Sequence, residues 1–94
     1  VVFEHVDNGE NGVFYVVEGE ERIGKITYVW LDETKILIDH TIVDPAHGGK
    51  GIAGQLLDQA AVFAREKGLK IVPQCSYVVK KFNTTDAYDD LKAE

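Results

Sequence analysis

Short runs of β-branched and aromatic residues alternate with clusters of Gly, Asn, Asp and Glu through the first half of the chain, the pattern of strands joined by tight turns. Four strands are predicted, over residues 1–6, 13–18, 22–30 and 35–43, and the short polar connections between them suit antiparallel hairpins. A period of two puts Ile26, Tyr28 and Trp30 on one face of the third strand, with Lys25 and Thr27 on the other. In the fourth strand it groups Ile36, Ile38, His40 and Ile42 against Leu37, Asp39, Thr41 and Val43. His40 is therefore expected to point with the aliphatic side chains.

The character changes at Asp44-Pro45, because proline cannot donate to a ladder, and residues 46–51 read as a flexible loop rich in N–H donors. Ile52, Leu56, Ala60, Phe63 and Ala64 then recur at helical spacing, and Gly68 after Arg65 and Lys67 marks the helix end. Residues 69–72 form a fifth strand, parallel to the fourth across the helical crossover, and Pro73 ends it. A helix over 76–82, a polar break at Asn83, Thr84 and Thr85, and a terminal turn or helix over 86–92 complete the chain. The expected fold is α/β of the α+β kind: a mostly antiparallel sheet of about five strands, one long helix between strands 4 and 5, and short C-terminal helices.

With 94 residues there is material for one core, so residues 1–94 read as a single domain. A net charge of −6 argues against nucleic acid, whose phosphates require basic patches. The lone Cys75 excludes an intramolecular disulfide and a multi-cysteine zinc site; no metal site is expected, and a reducing cytoplasm fits. No apolar run approaches the ~18 residues of a membrane span, and no basic segment leads into an apolar stretch at the start. The chain has no Met, which points to an initiator upstream of Val1.

The most informative segment joins a strand end to a helix start, where unpaired N–H groups and the helix dipole favour an anion and glycines admit it closely. A nucleotide-triphosphate loop needs Gly-Lys followed by Ser or Thr, but Lys50 is followed by Gly51. Gly49, Gly51 and Gly54 satisfy G-x-G-x-x-G formally, yet no acid stands near Cys75 where the dinucleotide fold needs one, and hairpin-linked strands cannot build that parallel sheet.

Val43, Pro45, Gly49, Gly51, Ile52, Ala53 and Leu56 instead resemble the acyl-CoA loop V-x-P-x-x-R-G-x-G-I-[GA]-x-x-L of the GNAT N-acetyltransferase superfamily. The departure is Gly48, where Arg or Gln is usual, and it shifts the expected pyrophosphate grip onto backbone amides, Lys50 or His47. The resemblance implies acetyl-CoA or coenzyme A as cofactor, held by Ile42, Val43, His47, Gly48, Gly49, Lys50, Gly51, Ile52, Ala53 and Gly54, with Asn83 on the pantetheine arm. His40-Thr41, the loop, and residues 72–78 further resemble a short bacterial-type GNAT branch over about residues 23–91, without the N-terminal helices and last strands of larger relatives.

In that fold strands 4 and 5 splay and the pantetheine enters between them, which puts Cys75 near the thioester, as acetyl acceptor or as partner of the CoA thiol. His40 is the implied general base, and Tyr77 and Tyr88 are the implied phenol donors to the departing sulfur. Each has a plainer alternative: Cys75 as a small buried hydrophobe, His40 as a hydrogen-bonded structural residue, the tyrosines as packing. The expected reaction is acetyl transfer to a small-molecule or peptide amine; the alternative is a CoA-binding or CoA-sensing module forming a Cys75–CoA disulfide. The acidic stretches 18–21 and 86–90 read as solvated surface or as attraction for a cationic amine, and so few strands leave a homodimer open.

Overall fold

The computed structural model describes residues 2–93, so the start of the first predicted strand at Val1 lies outside the described residues. One five-stranded sheet runs in the order β1 (Val2–Asp7), β2 (Asn11–Glu18), β3 (Glu21–Asp32), β4 (Lys35–Val43), β5 (Lys70–Pro73). The first three pairings are antiparallel and the last is parallel, as the hairpin turns and the crossover require. Helix α1 (Ile52–Lys67) lays Ile52, Leu56, Leu57, Ala60, Ala61 and Ala64 onto Phe14, Val16, Ile26, Tyr28, Ile36 and Ile38. It stops at Gly68, whose φ of 68° lets its N–H reach back to the Ala64 and Arg65 carbonyls.

Helix α2 (Ser76–Thr84) adds Val78 and Phe82 to the same core. It runs through Asn83 and Thr84, so the break expected at 83–85 is confined to Thr85. The terminal segment is strapped down: Arg65 binds Asp90 at 3.0 and 3.1 Å and donates to the Ala87 carbonyl, while Leu91 is buried. A short 3-10 turn over Asp89–Leu91 is all the helix that forms there. The opposite face of the sheet, with Val13, Tyr15, Lys25, Thr27, Val29, Leu37 and Asp39, has none of these residues buried.

Strand β4 departs from strict alternation. Thr27 of β3 pairs with His40 and Tyr28 with Ile38, which leaves Asp39 as an extra residue, a β-bulge. Ile36 and Ile38 point into the core as expected, but beyond the bulge the faces exchange. Val43 packs on the core, whereas the His40 side chain is 70% exposed and Ile42 is 53% exposed. The expectation that His40 and Ile42 share the aliphatic face is thus corrected, because a one-residue insertion inverts every later position.

At the far end of the sheet, Tyr28 donates to Asp7 at 2.5 Å and pairs with His5 Nε2 at 2.7 Å, while the Trp30 indole donates to Asp7 at 2.9 Å. Burial, with the bond to Asp7, raises the Tyr28 phenol far above its ordinary value. The ring lies across Gly12, where a Cβ would fall 2.4 Å from it. Gly12→Ala should therefore cost about 1–3 kcal/mol through overpacking, read as a lower urea midpoint at unchanged slope. An unchanged midpoint would show that the ring moves aside freely.

Candidate functional site

The strand-to-helix connection is more ordered than a flexible loop. Asp44 caps a 3-10 turn, Pro45–His47, by accepting from the Ala46 N–H at 3.0 Å. His47 Nδ1 then lies 3.3 Å from Glu18 Oε2 and 3.4 Å from Lys50 Nζ, which ties the turn to the end of β2. Gly48 is extended, and Gly49 and Gly51 have φ of 81° and 74°, conformations that only glycine adopts readily. No side chain caps α1, so the N–H groups of Ile52, Ala53 and Gly54 stand at its positive end. A Cβ on Gly49 or Gly51 would meet nothing within 4 Å, so the space above the loop is open to a ligand.

The second part of the site is a gap in the sheet. Pairing of β4 with β5 ends at Ile38 and Pro73, and the Ile38 carbonyl accepts from both Gln74 and Cys75 N–H groups at 3.0 and 3.1 Å. Residues 39–43 continue β4 without β5 beside them. Between the strands lies a cleft of about 510 Å³ lined by Asp39, His40, Thr41, Gln74, Cys75 and Ser76.

Cys75 Sγ sits 3.4 Å from Thr41 Oγ1. Burial alone would push this thiol up; the Thr41 hydroxyl and the Val78 and Tyr77 N–H groups in the first turn of α2 outweigh it and hold the thiol below its ordinary value. Cys75 makes no close capping bond to that turn, so those N–H groups act as oriented dipoles. Tyr77 reaches back to α1, its hydroxyl 3.5 Å from where a Gly54 Cβ would stand, and burial with the Asp58 charge raises its phenol.

The structure sets Cys75 and His40 on one cleft and Tyr77 beside Gly54 in the first turn of α1, and gives two expected residues other surroundings. The Tyr88 phenol is committed to Asp58 at 2.6 Å and its ring stacks on Phe82 with centroids 5.5 Å apart. Burial and that carboxylate push Tyr88 up to about 12, and the bond fastens the C-terminal segment to α1. Asn83 lines a separate depression with Thr84, Thr85, Asp86, Asp89 and Lys92. Of the cofactor residues, Ile42 turns its side chain outward and Val43 packs inward on the core, and neither lines the cleft.

Sequence reasoning missed Thr41, which the alternation had placed away from His40's face but which the bulge turns toward Cys75. It also missed Glu18 as the partner of His47 and Asp58 as the partner of Tyr88. Both contacts join distant segments and carry no local sequence signal.

A β4–β5 ladder that ends at Ile38 and Pro73, with an uncapped helix behind a glycine loop, is the arrangement expected of an acyl-CoA-dependent acyltransferase. A family model described as GCN5-related N-acetyl-transferase matches residues 13–91, and the chain belongs to that family. It is similar to a GCN5-like protein from Staphylococcus aureus solved by solution NMR, with 33% identity, TM-score 0.73, and coverage of 96% of this chain and 87% of that one. A GNAT family acetyltransferase from Elizabethkingia anophelis, solved with acetyl-CoA bound, gives 23% identity and TM-score 0.65 over 78% of this chain and 53% of its own. An aminoglycoside acetyltransferase from an uncultured soil metagenomic sample, in complex with sisomicin, gives 20% and 0.69 over 94% and 62%. The last two share the fold, and the chain spans less than two thirds of each. No curated protein sequence matches the chain.

Thr41→Val keeps the shape beside Cys75 and removes the hydroxyl. Thiol alkylation by iodoacetamide should be half-maximal below the ordinary pH of about 8.5 in the native chain, and in the variant the profile should move up, slowing the reaction at pH 7 by about threefold. A coincident pair of profiles would remove Thr41 from the account of this thiol.

Proposed function

We propose that the chain is an acetyl-CoA-dependent N-acetyltransferase acting on an amine. The observation that carries this is the pairing of an uncapped, glycine-fronted α1 N-terminus with a β4–β5 cleft that holds a low-lying thiol. The loop fits a pyrophosphate: the Gly48 N–H is spent on the Pro45 carbonyl, but no side chain caps the first amides of α1, and a Cβ at Gly49 or Gly51 would project into open space. Backbone amides from Gly49 to Ala53 supply the grip, with Lys50 as the nearest cation and His47 holding the turn in place. The pantetheine then lies along residues 39–43 of β4, opposite Cys75, in the space that β5 vacates.

In direct transfer the acceptor nitrogen bonds to the acetyl carbon as the carbon–sulfur bond to CoA breaks. The nitrogen gives up one proton and the departing thiolate takes one. His40 is the base at the cleft rim for the first, and Tyr77, with its raised phenol, is the acid for the second. In the two-step alternative the Cys75 thiolate bonds to the acetyl carbon as the CoA thiolate leaves and takes a proton; the amine then bonds to that carbon, loses a proton and returns the Cys75 thiolate.

The low-lying thiol also supports a second reading, a CoA-sensing module. There Cys75 attacks the disulfide of oxidised CoA, one CoA thiol leaves, and CoA remains on the protein through a mixed disulfide. The acceptor belongs to neither the fold nor the loop, and a monomer or a homodimer is compatible with both readings.

Calorimetry should show acetyl-CoA binding, weakened about tenfold or more by Gly51→Ala, whose Cβ opposes the left-handed conformation and intrudes on the anion. Absence of heat at millimolar acetyl-CoA would sink both readings. Mass spectrometry then separates them: an acetyl adduct on Cys75, or acetylated amine without any adduct, marks the enzyme, whereas a CoA-sized adduct reversed by reductant marks the module.

A further inference from the structure

Resting on the acyl-transfer reading above, we propose that the bare face of the sheet binds the acceptor as a small zwitterion, its ammonium at Asp39 and His40 and its anionic end at Lys25. A depression of about 390 Å³ on that face is lined by Tyr15, Lys25, Thr27, Asp39 and His40, among others. Asp39 and His40 also line the cleft that holds Cys75, so the two cavities meet at these residues. The bulge creates this threshold, because an inserted residue turns two successive side chains of β4 toward one side.

The charges at the threshold are incompletely used. Asp39 Oδ1 accepts from Thr27 Oγ1 at 2.5 Å, but its Oδ2 is 4.0 Å from His40 Nε2, too far for a hydrogen bond, and the side chain is only 26% exposed. A half-buried carboxylate with a free oxygen is a good seat for an ammonium. Lys25 stands opposite Tyr15 and two residues from Thr27 on the same face, roughly 7 Å along the strand. Among the described residues Lys25 has no ion-pair partner, Asp39 included.

One carboxylate and one ammonium held apart in a single depression complement a molecule whose own charges stand a similar distance apart. The net charge of −6 draws any cation to the surface, so it does not select among amines. Lys25 does select, since it repels the far end of a diamine and attracts a carboxylate. An ω-amino acid or the free end of a short peptide satisfies both groups; a polyamine satisfies one and opposes the other.

An amide NMR titration of the 94-residue chain without acetyl-CoA tests this, using γ-aminobutyrate, putrescine and butyrate, molecules of similar length with different ends. The expected result is saturable movement of Lys25, Thr27, Asp39 and His40 signals with γ-aminobutyrate, and binding weaker by about tenfold or more for the other two. Lys25→Glu, a change at a half-exposed site, should reverse the order in favour of putrescine, and Asp39→Asn should abolish both. Equal or stronger binding of putrescine by the native chain, no saturable movement at those residues, or an order unaltered by Lys25→Glu would overturn the proposal. Should Asp39→Asn disturb the bulge and unfold the chain, the Lys25 reversal decides alone. Because the cofactor is left out, failure here is distinct from failure to bind acetyl-CoA, which would leave a zwitterion site without its reaction.

Discussion

Ile38 is the last residue of β4 held to β5, and the site exists because the chain lets go there. Pro73, its partner, has no N–H to extend the ladder, and the Ile38 carbonyl takes the next two donors, Gln74 and Cys75, together. On the other edge of β4, at the very next residue, the bulge breaks register with β3. The loss of β5 and the shift of register against β3 thus fall within one residue, and pairing with β3 resumes at His40. Residues beyond Ile38 are free to present main chain to a cleft and to exchange the faces of their side chains. Thr41 comes to lie against Cys75, while Asp39 and His40 come to lie outside.

An acidic chain that receives a polyanionic cofactor has to overcome its own long-range field. Charges beyond about 10 Å are screened at ordinary ionic strength, so donors at contact distance decide the outcome. The α1 N-terminus provides them: partial positive charge fixed in the backbone, with no carboxylate in the first turn and no side chain competing for the amides. Glycines at 49 and 51 let those amides be approached, and the Asp44 cap with the His47–Glu18 contact fixes the turn that presents them. The same economy holds at Cys75, where dipoles and one hydroxyl outweigh burial without any cation nearby.

Most of the fold was legible because each element carries a local rule. Apolar runs between turn clusters marked β1 and β2, and alternation assigned the faces of β3 and the first half of β4; Gly68 and Pro73 punctuated α1 and β5; the glycine spacing after antiparallel strands identified the loop. The bulge was not legible. Nothing in the sequence of Lys35–Val43 distinguishes an inserted Asp39 from a regular position, since the insertion is set by register against β3, and so His40 and Thr41 were assigned to exchanged faces. The partner of Tyr88 was illegible for a related reason. The phenol's role depends on Asp58, thirty positions away, and only the packing of α1 against the terminal segment brings them to 2.6 Å. Asn83 looked like a break because of its polar neighbours, whereas α2 continues past it on the strength of Val78 and Phe82.

The central claim is that the glycine loop and the β4–β5 cleft are one continuous acyl-CoA site. Its most direct test is to follow backbone amide signals while acetyl-CoA is added. Signals of Gly49, Gly51, Ile52 and Ala53 should move together with those of Thr41 and Cys75 and saturate at one common concentration. Movement confined to the loop with Thr41 and Cys75 unaffected, or no movement in either, would contradict it.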